Sequence, residues 1–518
     1  MNRLEISTLA VAGIVLVTAL LALPALPVDE TRYLTVAWEM RVTGDWVLPS
    51  LNFEPYSHKP PLLFWLINAS WSIFGVEVWS ARLVGIAATI TVVLLSNRLE
   101  KKLNGDRAPG HAYSALMLLG LPLFVAFGCS IMFDMLLTAT VSGAMLALWI
   151  AGRSGGWKPF VAYGASVGLG LLAKGPVVLV FTVPAAAFAF LWIAQSQRRH
   201  WYLRIGVSLV LGAGIGLIWA LAAARAGGSD YAHMIFWEQS AGRIASSFAH
   251  ARPFWFYVPI LLLFCIPLVI WRPARRAWLR SIERQTAARN FLLCWILPAL
   301  AILSAISGKQ IHYLLPLLPA CVLLASLALD HTIPQKADRI ALAVLFAGIP
   351  WVLIAAAIFT PRIVEIDPAI MVSLSVLNVG VLVAAGLAAI LAIAAFRRTL
   401  VGLVVANWLV LGALAVEFRT TVGPLFDLQP VADVLRGLNG RPIAVAQKTR
   451  GEFGFLARLT RPVMLVPESE ISEWASRHPD GVLVTRSKRS AISSYEPVQL
   501  LLQKNYRFTE AITIRAVR

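Results

Sequence analysis

Charge is scarce in this 518-residue sequence: Asp, Glu, Lys and Arg make up 14% of it, against about 25% in an ordinary soluble domain. With 58% hydrophobic residues and a mean hydropathy of +0.73, the chain is too apolar for a water-soluble globule. The bilayer is its solvent. Acidic residues are the scarcer sign, 27 against 45 basic ones, for a formal charge of +18. In a soluble protein such an excess points to nucleic acid. Here Lys and Arg lie mainly in short loops between apolar runs, the positive-inside pattern, so nucleic-acid binding is set aside. Cysteine is nearly absent. Cys129, Cys265, Cys294 and Cys321 fall in or beside apolar segments without metal-ligand spacing, and packing accounts for them. No Gly-rich phosphate loop and no nucleotide site is visible, and no internal repeat of the kind found in many transporters.

What is abundant is long apolar segments. A transmembrane helix needs about 20 mostly apolar residues. Stretches of this kind lie near 6–26, 78–98, 109–127, 132–151, 158–173, 175–195, 204–224, 254–271, 290–307, 312–329, 340–360, 370–396 and 400–416, and predict about thirteen helices by an ~20-residue window. The first follows Arg3 and is too long for a signal-peptide core, with no convincing small-residue cleavage site before Pro27, so it reads as a membrane helix. With a cytoplasmic amino terminus every alternate loop is basic, from Arg98, Lys101, Lys102 and Arg107 through the Arg272–Arg289 cluster to Arg397 and Arg398. The opposite face then receives a long loop over 27–77, a second over 225–253, and the carboxy-terminal region. From about residue 417 the composition becomes that of a soluble domain. Short apolar runs at Ile443–Ala446, Val463–Val466 and Gly481–Thr485 separated by polar stretches predict a small α/β domain over 417–518, beyond a membrane domain over 1–416.

The non-cytoplasmic side also gathers the chemistry. On a helix starting near Asp29, Arg32 and Tyr33 fall three and four residues on and share its face. Trp38, Met40 and Trp46 suit a helix lying at the membrane interface. Asp29 has a plainer reading as a helix N-cap. Asp134 opens the fourth predicted helix, and Lys174, in Lys174-Gly175-Pro176, joins the fifth to the sixth. Charges so placed are costly and often mark substrate paths, but the two residues also suit a structural ion pair. Lys309, His312 and Tyr313 add a cation, an imidazole and a phenol, and Glu238, Arg243, His250 and Arg252 lie in the second loop. Several cations on one face suit an anionic lipid headgroup.

The order Asp29-Glu30-Thr31-Arg32-Tyr33, Lys59-Pro60-Pro61-Leu62-Leu63, Phe133-Asp134-Met135-Leu136-Leu137-Thr138, Lys174-Gly175-Pro176, His250-Ala251-Arg252-Pro253-Phe254-Trp255-Phe256-Tyr257 and Gly308-Lys309-Gln310-Ile311-His312-Tyr313-Leu314-Leu315-Pro316 resembles the bacterial lipid-to-lipid glycosyltransferases typified by the aminoarabinose transferase of lipid A. That family belongs to the GT-C superfamily, whose members take sugar from a polyprenyl phosphate. The resemblance implies an α-helical polytopic membrane protein of GT-C type with a small periplasmic α/β domain. It also implies that Asp29 is the base that deprotonates the acceptor, a task suited to a positioned carboxylate. Lys59, Arg243 and Lys174 would hold the donor phosphate, and Glu30, Arg32, Tyr33, Asp134 and Tyr313 would line the pocket. One departure stands out: family members commonly place Glu before Lys-Pro-Pro, where this chain has His58. In some members that Glu joins a later His on a divalent metal. Here Glu238 lies near the later position, so His58 and Glu238 form an exchanged pair able to ligate zinc, although two ligands leave such a site incomplete.

These observations predict an inverting glycosyltransferase of the bacterial inner membrane. It would move an aminoarabinose-like or other sugar from undecaprenyl phosphate to a periplasmic-side lipid or glycan acceptor such as lipid A, with no required cofactor and no nucleotide. Rival readings are a relative that glycosylates protein or extends a polysaccharide, and a transporter or flippase of lipid-linked sugars. The topology is directly testable. Labelling of single-cysteine variants is expected to place Gly105→Cys inside and Ser50→Cys, Gly228→Cys and Ser469→Cys outside; labelling of Ser469→Cys only from the cytoplasm contradicts the odd helix count.

Overall fold

The computed structural model describes residues 3–105, 113–195, 198–237, 252–283, 286–329, 335–346, 348, 376–395, 399–438, 440–447, 450–488, 498–507 and 510–517. Among the described residues, Val78–Leu103, Phe133–Ser154, Trp201–Trp237, Ala287–Ala305 and Thr399–Thr420 are long and apolar enough to cross a bilayer. Six shorter apolar helices accompany them, including Glu5–Leu21, Leu62–Phe74 and Ile311–Ser326. Most of the segment expected at 340–360 lies outside the described residues. The helix expected over 109–127 is two short ones, Tyr113–Leu119 and Pro122–Gly128. Pro122 accounts for the break, since proline opens a helix but cannot sit in its interior without losing a backbone bond.

The region over 27–77, expected as a loop with a helix starting near Asp29, contains that helix and a second one. Asp29–Thr43 begins with two acids, favoured at a helix N-terminus, and ends at Gly44, whose left-handed φ of 72° closes it. Glu30, Tyr33, Leu34, Thr35, Val36, Ala37, Glu39 and Met40 are buried against the rest of the protein. One flank packs on Leu62–Phe74, an apolar helix of 13 residues, about 20 Å long and too short to span. Between the two helices Glu39 holds a tight hairpin, β1 (Ser50–Leu51) and β2 (Glu54–Pro55). Its carboxylate accepts from the Ser50 hydroxyl at 2.7 Å and from the Asn52 and Phe53 backbone N–H groups at 2.7 and 2.8 Å. The second expected loop also starts later than residue 225, because Trp201–His233 continues as helix through a kink at Gly228.

The carboxy-terminal part is a five-stranded mixed sheet of β3 (Ile443–Val445), β4 (Met464–Leu465), β5 (Val482–Lys488), β6 (Val498–Tyr506) and β7 (Glu510–Val517), in the order β4-β3-β5-β7-β6. The first three strands run parallel, and β7 pairs antiparallel with β5 and β6. One face packs Ala444 and Leu483 under Ile471 and Trp474 of helix Ile471–Arg477. The other face, with Val445, Val484, Ile512 and Ile514, joins the main core through Val431, Leu435 and the 453–459 segment. The sheet thus sits on the same side of the molecule as the 27–77 region.

A buried ion pair ties the amino-terminal elements together. Arg82, on helix Val78–Leu103 and only 2% exposed, donates to Glu30 at 2.6 and 3.2 Å. It also donates to the carbonyls of Leu20, Leu21, Leu23 and Pro24, the unpaired end of the first helix. Glu30 accepts in addition from the backbone N–H groups of Leu26 and Ile131, both at 2.9 Å. Breaking a buried pair by removing one partner costs about 3–5 kcal/mol. Glu30→Gln is therefore expected to lower the thermal unfolding midpoint of the purified protein clearly, and Arg82→Met to lower it further by also stripping four carbonyls. Wild-type midpoints for both variants would contradict this assignment.

Candidate active site

Asp29 is not an N-cap. Val28 holds that position without a side-chain bond, and Asp29 is the first helical residue. Its Oδ1 accepts from the Arg32 guanidinium and, at 3.3 Å, from the Tyr33 hydroxyl. Among the described residues Oδ2 has no partner, and the side chain is 50% exposed. Burial works against the Arg32 charge, the bond to the Asp29 carboxylate works for it, and the Arg32 pKa is raised, so Arg32 stays cationic. Burial first, then Asp29 and Tyr56, raise the Tyr33 pKa well above its ordinary value. Tyr33 is thus a neutral phenol that donates to Asp29.

Tyr33 connects this pair to the second polar group. Its ring meets Phe133 edge-on at 4.9 Å, and the Lys59 ammonium lies 5.7 Å from the Phe133 ring centre. The next residue, Asp134, is in the first turn of Phe133–Ser154 and is 3% exposed. It accepts from Lys174, and His312 Nε2 lies 3.8 Å from its other oxygen. Gly175, at φ 75°, ends helix Trp157–Lys174 directly after the lysine, so the ammonium projects from a helix corner. Lys174 also sits 4.7 Å over the Tyr313 ring, and Tyr313 meets His312 edge-on at 5.0 Å. Lys59 is within electrostatic reach of Asp134 and His312, and Asp29 within reach of His312. One polar cluster, which we call the basin, therefore joins Asp29, Arg32, Tyr33, Lys59, Asp134, Lys174 and Tyr313, running from the half-exposed Asp29 carboxylate to the buried Asp134–Lys174 pair.

Glu30 does not line this basin. Facing away from Asp29 on the helix, it is 4% exposed and spends both oxygens on Arg82, Leu26 and Ile131. Lys309 is likewise structural, 4% exposed and donating to the carbonyls of Arg252 and Ile306. His58 is exposed and stacks on Tyr56 at 5.3 Å. Its suggested partner Glu238 and the phosphate candidate Arg243 lie outside the described residues. Among the described residues no group of three or more His, Cys, Asp and Glu side chains is arranged to hold a metal. Two participants were not singled out from the sequence as site residues: His312 and Tyr56. His312 was visible as an imidazole beside Tyr313, but only the fold brings it to Asp134.

Residues 58–223 match the family model described as dolichyl-phosphate-mannose-protein mannosyltransferase. Over 321 residues the chain is 32% identical to the undecaprenyl phosphate-alpha-4-amino-4-deoxy-L-arabinose arabinosyl transferase of Pseudomonas aeruginosa strain UCBPP-PA14, covering 60% of this chain and 55% of that one. A Pseudomonas fluorescens Pf-5 protein of the same description is 30% identical over 321 residues, 57% of its length. Over that span the chain is similar to these aminoarabinose transferases. It spans little more than half the length of the curated relatives it matches. The fold extends further. The crystal structure of ArnT from Cupriavidus metallidurans bound to undecaprenyl phosphate superposes with a TM-score of 0.79 at 18% identity, covering 98% of this chain and 97% of that one. The apo form of the same protein gives 0.80 at 17%. The fold of that crystal structure is therefore shared by nearly the whole chain.

Proposed function

We propose that this protein is an inverting glycosyltransferase that moves an aminoarabinose-like sugar from undecaprenyl phosphate to the hydroxyl of an acceptor such as lipid A. The observation that carries the reading is the Asp29 carboxylate, held by one oxygen and open at the other, on the edge of a basin lined by cations. Asp29 takes the proton of the acceptor hydroxyl as that oxygen attacks the anomeric carbon from the face opposite the phosphate. The sugar–phosphate bond breaks, and undecaprenyl phosphate leaves with its electron pair. Lys59, with Arg243 and Lys174, binds the donor phosphate and stabilises the charge that builds on it. Lipid phosphate is already an activated leaving group, so this route calls on no nucleotide and no metal. A zinc ion between His58 and Glu238 would be an addition to it. We place the site and the 417–518 domain on the periplasmic side of a bacterial inner membrane, with a cytoplasmic amino terminus and about thirteen membrane helices over 1–416. The charge pattern of the loops supports this orientation.

The match of residues 58–223 to a protein mannosyltransferase model favours a second reading, with a protein hydroxyl as acceptor. Supplying both acceptor types to the purified protein separates the two. A sugar-lipid flippase would carry the donor across a bilayer without forming product.

The assay that tests the base is transfer by Asp29→Asn in lipid, at matched protein level. Asn keeps the size and some hydrogen bonding of Asp but not its basicity, and turnover is expected to fall ~10²–10⁴-fold with donor binding retained. Lys59→Ala should instead weaken donor binding, by about 2–5 kcal/mol for a desolvated charge contact. Near-normal turnover by Asp29→Asn would remove it from the mechanism.

A further inference from the structure

Helix Asp29–Thr43 carries Asp29 and Arg32 at its beginning, and its flank is gripped by chain from the far end of the sequence. The Thr35 hydroxyl donates to the Gly451 carbonyl at 2.9 Å and accepts from the Phe455 backbone N–H at 3.0 Å, so one side chain closes both ends of the 451–455 turn. One turn further along, the Trp38 indole N–H donates to the Leu459 carbonyl at 2.8 Å, with the Arg458 guanidinium 5.3 Å over the Trp38 ring. Phe455 stacks on Trp71 of the neighbouring helix at 5.0 Å. Asn52 exchanges two hydrogen bonds with the Val463 backbone, at 2.8 and 3.0 Å.

The approach is close enough to require glycine. A Cβ at Gly454 would lie 2.4 Å from Thr35 Cγ2, and one at Gly451 would lie 2.7 Å from Leu51 Cδ1 and 3.1 Å from the Arg32 Cα. Gly451 also has a left-handed φ of 83°, which L side chains rarely adopt. The strap therefore touches the helix backbone at Arg32, the residue that holds Asp29.

We propose that the 451–463 segment of the carboxy-terminal domain is a positioning element for the transfer reaction, with Thr35, Gly451 and Gly454 as its positioning residues. The proposal rests on the reading of Asp29 as base. The strap fixes the rotation of helix Asp29–Thr43 about its axis, and with it the direction in which Asp29 and Arg32 face the substrate. Thr35 is six residues from Asp29, about 9 Å along a stiff helix, so a shift imposed at Thr35 reaches Asp29 with little loss. A misplacement of about 1 Å in a catalytic group costs on the order of 10²-fold in rate.

The test uses the full-length protein in lipid, undecaprenyl-phosphate-linked 4-amino-4-deoxy-L-arabinose as donor and lipid A as acceptor. Gly454→Ala is expected to lower kcat by about ten- to a hundredfold while donor KM changes by less than about twofold. Adding Thr35→Ser removes the methyl group that the new Cβ strikes but keeps the hydroxyl and both of its bonds, and should restore most of kcat. Trp38→Phe, which removes the hydrogen bond to Leu459 and leaves a smaller ring under Arg458, serves if Gly454→Ala does not fold, with the same selective loss of kcat on a smaller scale. A merely structural contact would lower the thermal midpoint and leave kcat per folded molecule unchanged, and that result overturns the proposal. So does a parallel loss of kcat and donor affinity, or a failure of Thr35→Ser to restore turnover. Loss of transfer in Asp29→Asn but not in the strap variants sinks the positioning role alone. Absence of transfer by the wild-type protein sinks the functional reading and this proposal with it.

Discussion

The Glu30–Arg82 pair is the constraint on which the rest of the amino-terminal architecture depends. Arg82 sits in an apolar helix, where an unpaired guanidinium would be costly. Its partners come from three other pieces of chain: the carbonyl end of the first helix, the start of helix Asp29–Thr43, and, through Glu30, the turn at Ile131. That turn leads directly into Phe133 and Asp134. The pair thus sets where helix Asp29–Thr43 begins relative to helix Phe133–Ser154, and so sets Asp29 relative to Asp134.

From this follows a division of labour between two adjacent acids. Glu30 faces inward and is saturated with hydrogen bonds, so its charge is spent on structure. Asp29, one residue earlier, faces the basin with one oxygen open. Asp134 is buried and held through one oxygen by Lys174, with His312 3.8 Å from the other, beyond hydrogen-bond range. Of the three carboxylates, Asp29 is the half-exposed one, so its open oxygen is the one an acceptor hydroxyl can reach. This argument rests on exposure and stands independently of the family likeness.

Features carried by local spacing were legible in the sequence. Arg32 and Tyr33 share a helix face with Asp29 and do bond to it; the apolar runs at 443–446 and 463–466 contain strands β3 and β4, and the run at 481–485 holds the first part of β5. The Asp134–Lys174 pair could be named because both charges interrupt apolar stretches on one side. Features that depend on distant partners were not legible. Arg82 was hidden inside an apolar run, since its partner is 52 positions away. Nothing local shows that residues 451–463 cover the Trp38 flank of helix Asp29–Thr43. Leu62–Phe74 was read as part of a loop, being shorter than a membrane span. Gly451 and Gly454 look like ordinary turn glycines until Thr35 and Arg32 are seen against them.

The proposed mechanism is a single displacement with Asp29 as the base. The anomeric configuration of the product tests it most directly. The wild-type protein is supplied with donor of defined configuration, and the transferred sugar is examined by NMR before any rearrangement. The account predicts inversion at the anomeric carbon. Retention would mean two successive displacements through a covalent sugar–protein intermediate, and would contradict it.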